Sequence, residues 1–330
     1  MEKKELWINL REEDLTSETK TLISSLPSDE PYLGLKLCKY QGTWYYYNFL
    51  QGILNVQRGL QPQDTDIIIA SFPKFGTLWI KALTVALFQR SENPSSGDDH
   101  PLLSNNPHNL VPILEMHLYR DTHKPDLTKI SSSSQRVFST HMPFHTLQEA
   151  LKYSPCKVVY ICRDAKDCMV SRWRFICRCL NKEEDRNILE SMFESFCSGV
   201  ALFGPFWDHI LSYWKASLEN PKHVLFMKYD DMKTDPHAQL KKLAEFLGCP
   251  FSEKEEKNGC VDEILEMCSL SKLRSLEVNM TGESVNGIDN KNHFRKGIVG
   301  DWKNYLTPEM GNKMDMIMEE KLKDSGLKFC

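Results

Sequence analysis

No stretch of this chain approaches the ~20 consecutive apolar residues that a helix needs to cross a bilayer, so no membrane partner is expected. The first 20 residues are charged throughout and carry no apolar signal core, and a cytoplasmic location is the expectation. An excess of positive charge is also missing. Lys and Arg number 41 against 45 Asp and Glu, a net charge of -4, which gives no reason to expect a nucleic-acid partner. Eleven cysteines are present, yet no pair has the C-x-x-C spacing of zinc or redox sites; Cys177 and Cys179 come nearest, one residue apart. An odd count, in a chain large enough to do without disulfide staples, points to reduced and mostly buried thiols. A redox role for Cys177 or Cys179 is the alternative. The histidines, for example His100, His108, His117 and His123, show no metal-ligand spacing with Cys or Asp, and no metal site is read.

There is likewise no internal repeat and no break in composition that would mark a second domain. At 330 residues, one large α/β domain is expected. Residues 1–60 read as an N-terminal arm packed on the domain, with an aromatic cluster Trp44–Tyr47, and residues 61–330 as the domain itself. From residue 66 onward strand and helix patterns alternate. Strands are expected at Asp66–Phe72, Arg136–Thr140, Lys157–Cys162 and His223–Lys228. Helices are expected at about Thr77–Arg90, Lys166–Cys179 and Pro236–Leu247, the last ended by Gly248. Residues 91–109 are rich in Ser, Asn, Pro and Asp and read as a surface loop; Ser131–Ser134 precede the second strand; residues 281–300 read as loop. Strands separated by helices imply a mainly parallel central sheet flanked by helices.

The most informative segment is 66–81. The β-branched run Ile67–Ile69 leads into a turn, Pro73–Gly76, and an apolar helical pattern starts at once. A strand that feeds a helix through a Gly-containing loop aims bare N–H groups and the positive end of the helix dipole at one point, which suits a phosphate. Lys74 sits inside that loop. Unlike a Walker A loop, Lys74 is followed by Phe75 rather than by Ser or Thr, and the glycine comes after the lysine, so no metal-binding hydroxyl stands beside it. This P-loop-like segment can grip a phosphate, and a group with less charge than a γ-phosphate, a description that sulfuryl transfer fits, has less need of a metal. Ligands of parallel sheets bind outside the carboxyl ends of the strands. That rule gathers Lys74–Trp79, Ser139 with His141, Arg163 with Ser171, and Tyr229 at one mouth.

These segments resemble the cytosolic sulfotransferases, particularly the plant soluble branch. The family loop P-K-S/T-G-T-T-W appears as Pro73-Lys74-Phe75-Gly76-Thr77-Leu78-Trp79, and T-H-[LIM]-P as Thr140-His141-Met142-Pro143. The R-[ND]-x-K-D-x-x-V-S segment runs from Arg163 to Ser171, Y-[ED]-D-[ML] from Tyr229 to Met232, and R-K-G-x-x-G-D-W from Arg295 to Trp302. Five motifs in the family's order make the match specific. The resemblance implies a donor, 3′-phosphoadenosine-5′-phosphosulfate (PAPS), and a small-molecule acceptor bearing a hydroxyl, of flavonoid, steroid or similar kind. By the same resemblance Lys74 and His141 are the catalytic pair, His141 as general base. Lys74, Phe75, Gly76, Thr77, Leu78 and Trp79 form the donor loop, with Trp79 similar to an adenine-stacking aromatic. Arg163 and Ser171 resemble the pair that binds the 3′-phosphate; Arg295, Lys296 and Gly297 close over it; Tyr229 resembles an adenine contact, with Cys268 and Ser269 in a further adenine segment.

The chain departs from the family pattern at several positions. Phe75 stands where a small residue is usual, and its ring would either crowd the loop or point away into a neighbour. Leu78 replaces a Thr, whose hydroxyl, if it bonds phosphate, is worth about 1.5–3 kcal/mol. Ser139 stands where many animal relatives carry a lysine. Of the animal dimer motif Lys303 and Thr307 match while Pro308 and Asn312 do not, so a monomer or weak homodimer is expected. Three readings stay open: an active PAPS-dependent sulfotransferase; a binding protein of the same fold weakened by Phe75 and Leu78; and a P-loop phosphotransferase. Taken alone, Arg163 would pair with Asp164 or Asp167, and Trp44–Tyr47 would be core rather than a wall of the acceptor site. If His141 is the base, the rate is expected to fall as pH drops through the imidazole pKa, and a flat profile from pH 5 to 8 argues for another base.

Overall fold

The computed structural model describes residues 15–90, 99–127, 130, 135–152, 154–284 and 287–329. The first 14 residues of the charged N-terminus, residues 91–98 of the expected surface loop, and Ser131–Ser134 lie outside them. Three short strands, β1 (Ser28–Asp29), β2 (Leu37–Tyr40) and β3 (Thr43–Tyr46), form an antiparallel sheet in the order β1-β2-β3. The central sheet comprises β4 (Ile67–Ser71), β5 (Val137–Thr140), β6 (Lys157–Cys162) and β7 (Val224–Lys228), in the order β5-β4-β6-β7. All its pairings are parallel. The strands fall within a residue of the expected ones.

Such a sheet must be apolar on both faces, because each face is covered. Along β4 and β6 alternate residues serve the two sides. Ile68, Ala70, Val158 and Tyr160 belong to one buried cluster, while Ile67, Ile69, Val159 and Ile161 belong to the other. The first cluster is also filled from residues 32–60, including Leu37, Tyr45, Leu50 and Ile53. Tyr45 and Tyr46 are thus core residues, as the simpler reading of the aromatic cluster had it. The chain visits β4, steps to β5, then crosses back over β4 to β6. The crevice between β4 and β6 is therefore the point where the winding reverses, the preferred ligand position in open sheets of this kind.

Two helices deliver the loops to this crevice. Thr77–Gln89 starts directly behind β4; Ala165–Cys179 starts behind β6, where Asp164 caps it by accepting from the N–H groups of Lys166 and Asp167. The expected helix Pro236–Leu247 is present and ends at Gly248 in the left-handed conformation. Three further helices, Arg186–Cys197, Phe206–Glu219 and Pro308–Leu322, had not been assigned from sequence.

The Leu50–Gly59 helix lies hard against the segment that carries Glu115. A Cβ placed on Gly52 would sit 2.0 Å from the Glu115 carbonyl oxygen, which belongs to backbone and cannot swing aside. Gly52→Ala is expected to cost about 1–3 kcal/mol, the usual penalty of overpacking, and to lower the midpoint of thermal unfolding. An unchanged melting curve would show that the two segments are free to part.

Candidate functional site

The loop after β4 is shaped by two backbone choices. Lys74 (φ 75°) and Gly76 (φ 114°) both adopt positive φ. At Gly76 a Cβ would come within 2.8 Å of the Tyr229 ring, so glycine is required there twice over. Between them the Phe75 N–H donates to the Phe72 carbonyl (3.1 Å), closing the turn. No side chain caps the helix that begins at Thr77, so its first N–H groups remain open at the mouth of the loop. The Thr77 hydroxyl is 2.6 Å from that of Ser71. The Lys74 Nζ lies 4.1 Å from the centre of the Phe175 ring. Burial, with Arg295 and Arg163 nearby, lowers its pKa to about 8.

His141 follows β5. Its Nδ1–H donates to the Ser71 carbonyl (2.7 Å), which leaves the lone pair on Nε2. Three buried groups hold the residue from behind. Glu115 accepts from the His141 N–H (2.7 Å) with one oxygen and from the Thr140 hydroxyl (2.9 Å) with the other. His209 donates from Nε2 to the His141 carbonyl (2.9 Å), and the Tyr160 hydroxyl lies 3.0 Å from the other nitrogen of His209. Burial depresses the His141 pKa to about 3, with Lys81, Arg172 and Lys74 adding to the effect. The ring is neutral at physiological pH.

Arg163 follows β6. It does pair with Asp167, as its isolated reading had it, but the pair is buried rather than superficial. One Arg163 nitrogen donates to Asp167 (3.2 Å) and to the Ile298 carbonyl (2.6 Å), and the guanidinium lies 4.5 Å from the centre of the Tyr229 ring. The Asp167 carboxylate also accepts from the N–H groups of Gly300 (2.8 Å) and Trp302 (2.9 Å), so it ties the 295–302 segment to the sheet. Arg295 pairs with Asp301. Among the described residues, Nε of Arg163 and one terminal nitrogen of Arg295 are buried without a hydrogen-bond acceptor. Orphaned guanidinium donors of this kind are rare unless a ligand completes them.

All of this opens on one cavity of about 180 Å³. Lys74, Gly76, Thr77, Leu78 and Trp79 line it from the loop; His141, Arg163, Ser171, Tyr229, Arg295 and Gly297 line it from the other strand ends and the 281–300 segment. Trp79 and Tyr229 stand edge to face, 5.3 Å between ring centres.

Five expected residues are not brought to the cavity. The Phe75 ring is fully buried in the core against Phe72 (5.3 Å), and its N–H is spent on the Phe72 carbonyl. Of the two orientations open for this ring, it takes the one away from the loop mouth, so the Phe75 side chain does not crowd it. Lys296 turns outward, its Nζ 2.9 Å from Asp301. Ser139, expected beside His141, instead donates to the Pro112 carbonyl (3.1 Å), and Cys268 is buried while Ser269 caps the Leu270–Ser275 helix. The sequence reading missed Glu115, His209 and the hub role of Asp167. Only Asp167 carried a usable signal, its spacing of four from Arg163.

The sulfotransferase domain family matches residues 64–326. A cytosolic sulfotransferase of Arabidopsis thaliana (number 3) is 74% identical, covering 97% of this chain and 96% of that one. Among solved structures, an Arabidopsis thaliana putative steroid sulphotransferase is 39% identical with a TM-score of 0.76, over 97% of this chain and 98% of the other. A mouse sulfotransferase complexed with PAP is 26% identical with a TM-score of 0.65, over 88% and 95%.

The burial of Phe75 separates the two departures in the loop. Phe75→Ser exchanges a core ring for a hydroxyl and is expected to cost at least the ~3–5 kcal/mol typical of emptying a Phe site, whereas Leu78→Thr, at the cavity wall, should melt within a few degrees of the parent. Equal melting of Phe75→Ser and parent would place the ring outside the core.

Proposed function

The chain belongs to the sulfotransferase family, and on that premise we propose that it moves a sulfuryl group from PAPS to a hydroxyl of a small-molecule acceptor. The observation that carries this reading is the pairing of functions across one cavity. On one side stand an uncapped helix N-terminus, Lys74 and two guanidinium groups with unused donors. On the other stands a neutral imidazole with its Nε2 lone pair open. Family membership sets aside the phosphotransferase alternative, and the inward ring of Phe75 removes the crowding half of the weakened-binder reading, which then rests on the hydroxyl lost at Leu78 alone.

When bound, PAPS supplies the sulfuryl group, which passes to the acceptor oxygen as the bond to the 5′-phosphate oxygen breaks. His141 takes the acceptor's hydroxyl proton on Nε2. The Glu115, Ser71 and His209 contacts keep that nitrogen aimed and unprotonated. Lys74 and the first amides of the Thr77–Gln89 helix offset the charge that builds on the leaving oxygen. Arg163 and Arg295 fit the 3′-phosphate, since an arginine fork matches phosphate geometry and both keep an unpaired N–H; the Ser171 hydroxyl adds a third donor. Trp79 and Tyr229 form the adenine walls. Phe49, Ile113, Met116 and Leu202 give the rest of the cavity an apolar surface suited to a flat or fused-ring acceptor of flavonoid or steroid type. The steroid in the name of the 39% identical relative supports that choice. The names of the curated relatives support a cytosolic location.

The pH dependence follows from the two shifted groups. With His141 at about 3, the acid limb of kcat/KM moves below pH 5, so a flat profile from pH 5 to 7 is now the expected behaviour of a histidine base. Lys74 must be protonated to hold the donor; with its free-enzyme pKa near 8, kcat/KM for PAPS should fall as pH rises through that value. An acid limb centred near the ordinary imidazole pKa of about 6.5 would contradict the burial argument.

Replacing His141 by Ala should lower kcat by about 10²–10⁴, and Lys74→Ala by a factor of about 10²–10³, in an assay with PAPS and a panel of phenols, flavonols and hydroxysteroids. Untouched turnover in either variant would remove the residue from the chemistry.

A further inference from the structure

Three histidines besides His141 line the cavity: His108, His117 and His293. The transfer step uses none of them. Burial holds all three neutral: it lowers His117 to about 3 and the other two well below the ordinary imidazole value, with Lys81 contributing in each case. A neutral imidazole has one donor and one acceptor nitrogen, and the partner of one fixes the role of the other. At His117, Nδ1 accepts the Ile113 N–H (3.2 Å), so the hydrogen is on Nε2. At His108, Nδ1 lies 3.0 Å from the buried Lys81 Nζ; burial lowers Lys81 to about 7, and below that pH its ammonium can only donate, which puts the His108 hydrogen on Nε2. The Lys81 Nζ also donates to the Val111 carbonyl (2.8 Å), which holds it behind His108.

His117 and His108 therefore present N–H donors, where His141 presents a lone pair. Among the described residues the Nε2 of His117 is fully buried and has no hydrogen-bond partner. A buried donor left unmet costs about 1–3 kcal/mol. The cavity walls Phe49, Ile113, Met116 and Ile288 offer no side-chain acceptor, and Ser284 and His293, which also line the cavity, make no hydrogen bond to either ring among the described residues. A ligand oxygen that only accepts would satisfy these donors, whereas a second hydroxyl would bring a hydrogen of its own while the His141 lone pair is taken by the hydroxyl to be sulfated.

We propose that His108 and His117 are specificity-determining donors for a carbonyl-type oxygen, ketone or carboxylate, that the acceptor carries apart from the hydroxyl to be sulfated. The inference rests on the acceptor cavity of the sulfotransferase reading and names the second group that an acceptor must bring.

Calorimetric titration of the full chain, saturated with adenosine 3′,5′-bisphosphate so that no turnover occurs, tests it. The probes are para-hydroxybenzophenone, its methylene analogue para-benzylphenol, and a para-hydroxyphenylalkanoic acid. The ketone or the acid should bind at least about tenfold more tightly than the methylene compound, as one well-made hydrogen bond allows. Which of the two leads identifies the source of the oxygen. His117→Asn and His108→Asn keep an acceptor near the Nδ1 position for the Ile113 N–H and Lys81 but remove Nε2–H. In the double variant the ratio should fall below about threefold, with bisphosphate affinity and melting temperature held. A wild-type ratio near one overturns the proposal, and this comparison needs no variant to fold; so does a ratio that survives the double substitution. A chain that binds these phenols with the expected ratio yet transfers no sulfuryl group to any acceptor would sink the transfer reading and leave this one standing.

Discussion

The hydrogen bond from the His141 Nδ1–H to the Ser71 carbonyl, 2.7 Å long, is the contact on which the rest of the site depends. It exists because β4 and β5 are parallel neighbours whose ladder runs out at the right residue. Ala70 pairs with Thr140, the last residue of β5, so the Ser71 carbonyl meets the side chain of the next residue instead of another strand. That one acceptor sets the tautomer of the ring and thereby leaves the Nε2 lone pair free, as the proposed base requires. It also binds the phosphate-gripping loop, which starts two residues after Ser71, to the residue that would take the proton. Electrostatics then does the remainder. Glu115, His209 and Tyr160 satisfy the surrounding polar groups, so a ring with pKa near 3 sits in a dry site without unmet partners around its backbone.

A second buried group, the Asp167 carboxylate, does for the phosphate side what the Ser71 carbonyl does for the base. A buried carboxylate is tolerated only when its lone pairs are met, and Asp167 receives Arg163 and two backbone N–H groups from the 295–302 segment. By drawing that segment down, it brings Arg295 and Gly297 to the cavity and places the Ile298 carbonyl on Arg163. The terminal Nη2 of Arg163 is used up in holding the wall together, which leaves Nε for a ligand. The cation lacking at position 139 is not replaced in the cavity. Lys81, buried on the Thr77–Gln89 helix, reaches the neighbouring Val111 carbonyl and touches the cavity wall through His108, while its charge helps to depress the His141 and His117 pKa values.

The sheet and its mouth were readable because short β-branched runs bounded by turn residues have few other uses, and because the strand-end rule needs only topology. Lys74, His141, Arg163, Ser171 and Tyr229 were gathered on that rule and do line one cavity. The three-strand sheet of residues 28–46 was unreadable because its strands are two to four residues long, too short for alternation to register. The direction of the Phe75 ring was equally hidden. It follows from positive φ at Lys74 and a hydrogen bond back to Phe72, neither of which leaves a trace in residue type. Lys296 shares its motif with Arg295 but loses its side chain to Asp301, a competition between two acceptable partners that sequence spacing does not resolve.

The histidines show most plainly what sequence cannot carry. His117 and His141 are chemically identical and line the same cavity, yet they present opposite faces to it. At His141 a carbonyl accepts from Nδ1, so a lone pair looks inward; at His117 an amide donates to Nδ1, so a hydrogen looks inward. One backbone group, C=O in one case and N–H in the other, decides whether the ring shows the cavity a lone pair or a hydrogen. Burial then keeps both rings neutral, because a charged ring would present a hydrogen on each nitrogen and erase the distinction. The low pKa values are thus what keeps an inward lone pair and an inward hydrogen distinct within one cavity. Any change that admits water to the cavity would raise both pKa values together and blur the two roles before it disturbed the fold.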